Sequence, residues 1–152
     1  MSVCVEEVSV KLTPVSPESL KELQGKARVA KLGTISKTGH PRVSPLWFRA
    51  EPDGSFLLNT FENSTPVKAL RRDPRASLLI DSSDWPYYGI HYFGTATIEG
   101  PKDDVEGIAD LFAPYVGSHE GAVEYAKTLI SYGTRVYIRF KPERSVSWDF
   151  RQ

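Results

Sequence analysis

The chain has 152 residues, 40% of them hydrophobic and 25% charged, with 19 basic and 19 acidic side chains and a net charge of zero. That size fits one domain able to bury a core without disulfides or metals. The charge balance leaves no basic footprint for nucleic acid, and a near-neutral surface does not oppose self-association. The single cysteine, Cys4, excludes an internal disulfide and a cysteine-cluster metal site, which suits a reducing cytoplasm. Glu6, Glu7 and Lys11 interrupt the N-terminal stretch, so no signal peptide is expected, and no run is long and apolar enough to span a membrane.

Residues 1–15 read as an arm. Ser16 as N-cap, Pro17 at the first helical position and Glu18 in the first turn start a helix, with Leu20 and Leu23 on one face and Gly25 as its stop. Strands follow: Ala27 to Ser36, Arg42 to Glu51 and Ser55 to Thr60. The short turns Lys37-Thr38-Gly39-His40 and Pro52-Asp53-Gly54-Ser55 make antiparallel hairpins of them. Pro45 has no N–H for a ladder, so its strand is expected to be interrupted or edge-like there.

Asn63, Ser64 or Thr65 caps a short helix with Pro66 near its first position and Asp73-Pro74 at its end. Ala76 to Asp81 and Tyr88 to Glu99 are two further strands, joined by a loop over 82–87. From Asp103 to Gly133 the period is helical, in two stripes divided by Pro114 and Gly117. Thr134 to Lys141 is the last strand, followed by an aromatic tail ending Trp148-Asp149-Phe150. Six strands, one inserted helix and a helical pair before the last strand predict a mainly β barrel in one domain, 1–152.

His40, His91 and His119 lack metal-ligand spacing to one another, so no metal is expected. The motifs of a nucleophile elbow, a phosphate-binding NTPase loop and a dinucleotide-binding Rossmann turn are missing. The chemistry-bearing stretch is Arg42 to Arg72. Arg42 and Ser44 share one strand face, while Val43, Pro45 and Trp47 share the other. Asn59-Thr60 end a strand, and Ser64-Thr65-Pro66 open a helix whose N-terminus, with Lys68 and Arg71 nearby, suits a phosphate group. The same residues also suit an ordinary cap and a solvated basic face. Trp85, Tyr87, Tyr88, Tyr92 and Phe93 form an aromatic group that fits either core packing or the cover of a flat ring.

Four blocks resemble the pyridoxamine 5′-phosphate oxidase-like FMN-binding split barrels: ARVAKLGTISKTGHPRVSPLWF, LLNTFENSTPVKALRRDPRASLLID, YYGIHYFGTATIEG and RVYIRFKPERSVSWDF. The resemblance implies a six-stranded antiparallel split β-barrel that forms homodimers and holds FMN, an 8-hydroxy-5-deazaflavin coenzyme or haem. It implies that Arg42, Val43 and Ser44 line the ring and phosphate side, Asn59 and Thr60 the ribityl chain, and Ser64 and Thr65 the phosphate. Lys68 stands in for a basic residue, and Trp85 or its aromatic neighbours reach across the dimer. The family often carries Lys or Arg two positions after that serine; this chain has Pro66. The chain lacks the R-L-H-D-R-like stretch and the R-L-x-P end of true pyridoxamine phosphate oxidases, and is more similar to the FMN- or deazaflavin-using reductase branch. A non-catalytic flavin or haem binder, or a barrel that has lost its cofactor, are the alternatives.

Overall fold

The computed structural model describes residues 13–151; Cys4 and most of the N-terminal arm lie outside them. Its elements are α1 (Pro17–Gly25), β1 (Val29–Ile35), β2 (Pro41–Ala50), β3 (Phe56–Phe61), α2 (Thr65–Arg72), β4 (Arg75–Asp81), β5 (Tyr88–Glu99), α3 (Val105–Val116), α4 (His119–Tyr132) and β6 (Arg135–Asp149). The six strands close into an antiparallel barrel in the order β1-β2-β3-β6-β5-β4. This is the six-stranded barrel expected from the hairpin pattern.

Alternation along each strand fills the interior. Ala30 and Leu32 of β1, Phe48 of β2, Phe56 and Leu58 of β3, Leu78 and Ile80 of β4, and Val136, Ile138 and Phe140 of β6 form one buried cluster. Leu23 of α1 and Val67 and Leu70 of α2 belong to it as well. Because α1 precedes the start of β1 and α2 follows the end of β3, antiparallel pairing sets the two helices at opposite mouths of the barrel. Burying each such aliphatic side chain contributes about 1.5–3 kcal/mol.

A second cluster lies outside the barrel wall. Ile108, Leu111 and Phe112 of α3 and Ala122 and Ala126 of α4 pack on Leu57 and Tyr137, with Trp47 at the edge. The helical pair thus covers the outer face of the β2 end, β3 and the first half of β6. Among the described residues, no helix lies over the outer face of β1, β4, β5 and the second half of β6.

The turn and cap chemistry follows the sequence. Gly39 and Gly54 take φ of 85° and 87° in the two hairpin turns, a left-handed backbone that glycine adopts without a Cβ penalty. Ser16 caps α1 by accepting from the Ser19 N–H at 3.1 Å.

Three expectations are corrected. Pro114 does not divide the two helices: α3 runs through it to Val116, and only Gly117, at φ 99°, stops the helix. Proline falls late enough in α3 that Leu111 and Phe112 are already buried and hold the last turn in place. Pro45 does not interrupt β2, which is continuous from Pro41 to Ala50, with Pro45 opposite Lys31. It is edge-like on its other side, because β3 pairs only with residues 48–50 of β2. The last strand does not end at Lys141 but continues to Asp149. A bulge at Phe93/Gly94 leaves Glu143 without a partner and shifts the alternation, so Ser145 and Ser147 fall opposite the buried Tyr92 and Ile90, Ser145 still exposed and Ser147 half-buried, while Val146 takes the outward side. The reversed alternation, with serines at the positions opposite core residues, hides the strand from a hydrophobic pattern.

The aromatic group of the 82–93 stretch divides. Tyr88 and Tyr92 are in the core, while Trp85 and Tyr87 are exposed and meet edge to face at 5.4 Å between ring centroids.

Candidate functional site

The barrel is split where β2 and β3 part. Register pairing joins Phe48 to Leu58, Arg49 to Leu57 and Ala50 to Phe56, and then stops. Residues 41–47 of β2 pair only with β1, and Asn59, Thr60 and Phe61 pair only with β6. Both segments therefore present an edge of main-chain N–H and C=O groups to the gap, and such groups need partners. The antiparallel order puts Arg42 at the start of β2, Thr60 and Phe61 at the end of β3, and Arg135 at the start of β6 at one mouth, together with the N-terminus of α2.

A cleft of about 340 Å³ occupies this gap. Pro45, Leu46 and Trp47 form one lip, Asn59, Thr60 and Phe61 the other, and Phe112, Tyr125 and Leu129 of the helical pair form the outer wall. Trp47 stacks on Tyr115 at 4.6 Å and 12° and meets Phe112 edge to face at 4.9 Å, so its plane is fixed. Arg135 lines the same cleft; its Nε donates to Asn59 Oδ1 at 2.8 Å, and its guanidinium lies 4.3 Å from the Phe61 ring centroid. Burial pulls the Arg135 pKa down, but a guanidinium remains charged in proteins.

A second depression of about 300 Å³ lies at the same mouth, lined by Thr34, Arg42, Val43, Arg75, Ser77 and Phe93 among others. The proposed cofactor residues are thus distributed. Arg42 and Val43 share this depression, and Asn59 and Thr60 share the cleft. Ser44 lies on β2 between the two, Ser64 is the N-cap of α2, Thr65 is its first residue, and Lys68 is exposed one turn on. Trp85 is 73% exposed in the β4–β5 loop and lines neither of these depressions.

Three of the four orphaned polar atoms lie at this same end of the molecule; the fourth, Arg28 Nε, is at the start of β1, by the opposite mouth. Among the described residues, Arg28 Nε, Thr34 Oγ1, Asn59 Nδ2 and Ser64 Oγ are buried without a hydrogen-bond partner. Thr34 lies opposite Arg42, Asn59 lines the cleft, and Ser64 caps α2 without any side-chain cap bond. Native proteins leave few such groups, and each one asks for a partner. Pro66, the second residue of α2, removes one N–H from the helix start that a phosphate group would otherwise use.

Sequence reasoning singled out Asn59 but not the arginine it meets. Arg135 stood in a run read only as a strand, and a lone arginine in a β segment carries no signal. Its significance comes from a register that pairs it with Phe61. Trp47, Phe112 and Tyr125, distant in sequence, likewise become one wall only through packing.

A six-stranded antiparallel barrel whose wall parts between β2 and β3, leaving unpaired strand edges, is a split barrel. The chain belongs to the pyridoxamine 5′-phosphate oxidase family, whose model matches residues 16–149. Among solved structures it is similar to the conserved hypothetical protein Rv2991 of Mycobacterium tuberculosis, at 26% identity and a TM-score of 0.74, covering 94% of this chain and 89% of that one. An F420 reductase shares the fold at 17% identity and a TM-score of 0.66, covering 86% and 98% of the two chains. So does HutZ, the haem storage protein of Vibrio cholerae, at 16% identity and a TM-score of 0.65, covering 88% and 93%. No helix among the described residues is long and apolar enough to cross a membrane.

Proposed function

We propose that the protein is a flavin- or deazaflavin-dependent oxidoreductase, with FMN the first candidate cofactor, working as a cytoplasmic homodimer. The observation that carries the reading is the set of unsatisfied polar atoms, Thr34 Oγ1, Asn59 Nδ2 and Ser64 Oγ, at the one mouth of the barrel where β1 and β3 end and β2 begins. Membership of a family named for an FMN-type oxidase, and a fold shared with an F420 reductase, support the same chemistry.

In this reading the unpaired edge of β2 around Arg42, Val43 and Ser44 meets the polar rim of the ring. Asn59 and Thr60 face the ribityl chain. The Thr65 N–H, the Ser64 hydroxyl and the side chains of Arg42 and Lys68 hold the phosphate, with Pro66 contributing no donor. The cofactor supplies hydride transfer; the chain supplies position, electrostatics and exclusion of water. The absence of the arginine-rich substrate motifs argues against pyridoxamine 5′-phosphate as substrate.

The dimer is supported by the uncovered face of the sheet. There Val43, Gly33, Ser77, Phe93 and Arg144 align in one cross-strand row, and Pro45, Lys31, Leu79, His91 and Val146 in the next. Val43 is 69% and Val146 48% exposed, an apolar content suited to burial against a second copy. Trp85, also exposed, is the residue we assign to a cross-dimer contact.

The test is titration of the purified protein with FMN, riboflavin, the deazaflavin coenzyme and haem, followed by absorbance and calorimetry. FMN or deazaflavin binding that Ser64→Ala and Arg42→Ala weaken, together with turnover by a reduced nicotinamide or deazaflavin donor, is the expected result. Failure of every flavin to bind ends the reading. The alternative is non-catalytic haem or flavin binding: desolvation lowers the His91 pKa, which keeps a neutral imidazole available on the uncovered face. A Soret band lost in His91→Ala would establish the haem form.

A further inference from the structure

We infer that Arg135 and Asn59 form a receptor for the anionic oxygen group, carboxylate or phosphate, of a flat aromatic ligand held in the cleft between β2 and β3. Arg135 is 4% exposed and Asn59 3%. The Arg135 guanidinium has one side-chain acceptor, Asn59 Oδ1 at 2.8 Å. The nearby Asp103 carboxylate accepts instead from the Arg135 main-chain N–H, at 2.9 Å. No ion pair among the described residues includes Arg135.

Asp103 favours the cation through space but does not touch the guanidinium; a buried cation without a direct ion pair is costly, and arginine cannot escape the cost by losing its proton. The asparagine amide is oriented by the same contact. A guanidinium only donates, so Oδ1 must face it, and Nδ2 is left as a buried donor with no acceptor. The cleft is therefore lined by a cation whose terminal N–H groups have no protein acceptor, beside an amide N–H donor that has none. That donor set matches a carboxylate or phosphate group and gives nothing to a cation or a hydrogen-bond donor.

The remaining walls set the rest of the ligand. Trp47, Phe61, Phe112 and Tyr125 surround the cavity, with Leu129 and Pro45 completing it. About 340 Å³ bounded by ring faces fits a bicyclic aromatic body. This receptor goes beyond the cofactor reading. It shares Asn59 with the proposed groove, but it requires only that an acid on a flat ring enters the cleft, whether the ring is the cofactor's or a substrate's.

The probes are 2-naphthoate and its neutral counterpart 2-naphthamide, titrated calorimetrically into the full-length protein. The acid should bind about tenfold more tightly than the amide or better, since it alone provides charge-assisted bonds. Arg135→Gln should bring the ratio close to one while leaving the amide's affinity unchanged. Arg135→Lys, which keeps the charge and loses the fork, should retain a reduced preference and serves if the Gln variant does not fold; the wild-type ratio needs no variant.

FMN and riboflavin, added to the naphthoate-loaded protein, then identify the anion's source. Displacement by FMN and not riboflavin, with FMN weakened in Arg135→Gln, assigns the receptor to the cofactor's phosphate. Naphthoate retained beside bound FMN assigns it to an aromatic acid substrate. An acid preference in a protein that binds no flavin removes the cofactor reading alone. Equal binding of acid and amide overturns the inference, as does failure of both to bind when Arg135→Gln leaves the FMN-to-riboflavin ratio unchanged.

Discussion

Tyr115 couples the helical pair to the barrel beside the split, and its hydroxyl allows a sharp test. It donates to the Arg28 carbonyl at 2.8 Å and accepts from the Phe48 N–H at 3.0 Å. It therefore bridges the start of β1 and the end of β2 where their own ladder gives out. Both neighbours of the hydroxyl pull on its acidity less than burial does, and the phenol pKa is raised, so it stays protonated at neutral pH. Tyr115→Phe keeps the ring and its 4.6 Å stack on Trp47 but leaves one main-chain donor and one acceptor without their partner. A buried group left unpaired costs about 1–3 kcal/mol. Tyr115 is half-buried, so water recovers part of this, and the expected loss is about 2 kcal/mol, or about 4–8 °C in Tm for a chain of this size. Urea unfolding followed by far-UV circular dichroism measures it, with an unchanged m-value because the same surface is exposed on unfolding. A loss below about 0.5 kcal/mol would refute the bridging role and imply that β1 and β2 pair there without help.

Gly94→Ala places a methyl group inside van der Waals contact with the Lys141 carbonyl oxygen, a main-chain atom that cannot step aside without opening the β5–β6 bulge. The expected cost is about 3 kcal/mol or more, read as a lowered urea midpoint; an unchanged midpoint would show that the bulge is soft. Asp149, with a side chain 2% exposed, takes two bonds from the Arg151 guanidinium, at 2.7 and 2.9 Å, and a third from its main-chain N–H at 3.0 Å, and the side-chain bonds to Arg151 hold its pKa below the usual carboxylate value. Since the folded value lies below the unfolded one, its contribution is complete above about pH 4 and fades as pH falls through the lowered folded value. The stability gap between wild type and Asp149→Asn should be largest near neutrality and close in strong acid; a gap independent of pH would contradict this. Val43→Glu, at a position 69% exposed in one copy, should leave the fold intact and convert the proposed dimer to a monomer in light scattering. A variant that still elutes as a dimer would move the interface off the β1-β2-β4 face.

Most of the architecture is legible locally. Gly39 and Gly54 announce hairpins because few other residues accept the left-handed backbone those turns use. Ser16-Pro17 announces a helix because a hydroxyl acceptor followed by a residue without an N–H suits an N-terminus. The alternation of Ala30 and Leu32 with Lys31 and Gly33, and of Ile138 and Phe140 with Arg139 and Lys141, marks strands with one buried face. Asn59, Thr60 and Ser64 could be singled out for their types and positions alone. The failures share one cause. Whether α3 survives Pro114, and whether β6 survives the bulge at Gly94, depends on partners distant in the chain.

The residues by themselves determined the order of elements, the barrel class and the family, because each rests on short-range backbone preference and on which faces must leave water. Only the tertiary structure decided where the wall opens and what faces the opening. Closing six strands requires a register, and this register pairs three residues of β2 with β3 and leaves the rest of that edge free. The same register sets Arg135 against Asn59 across 76 positions of sequence, a juxtaposition that no local pattern encodes.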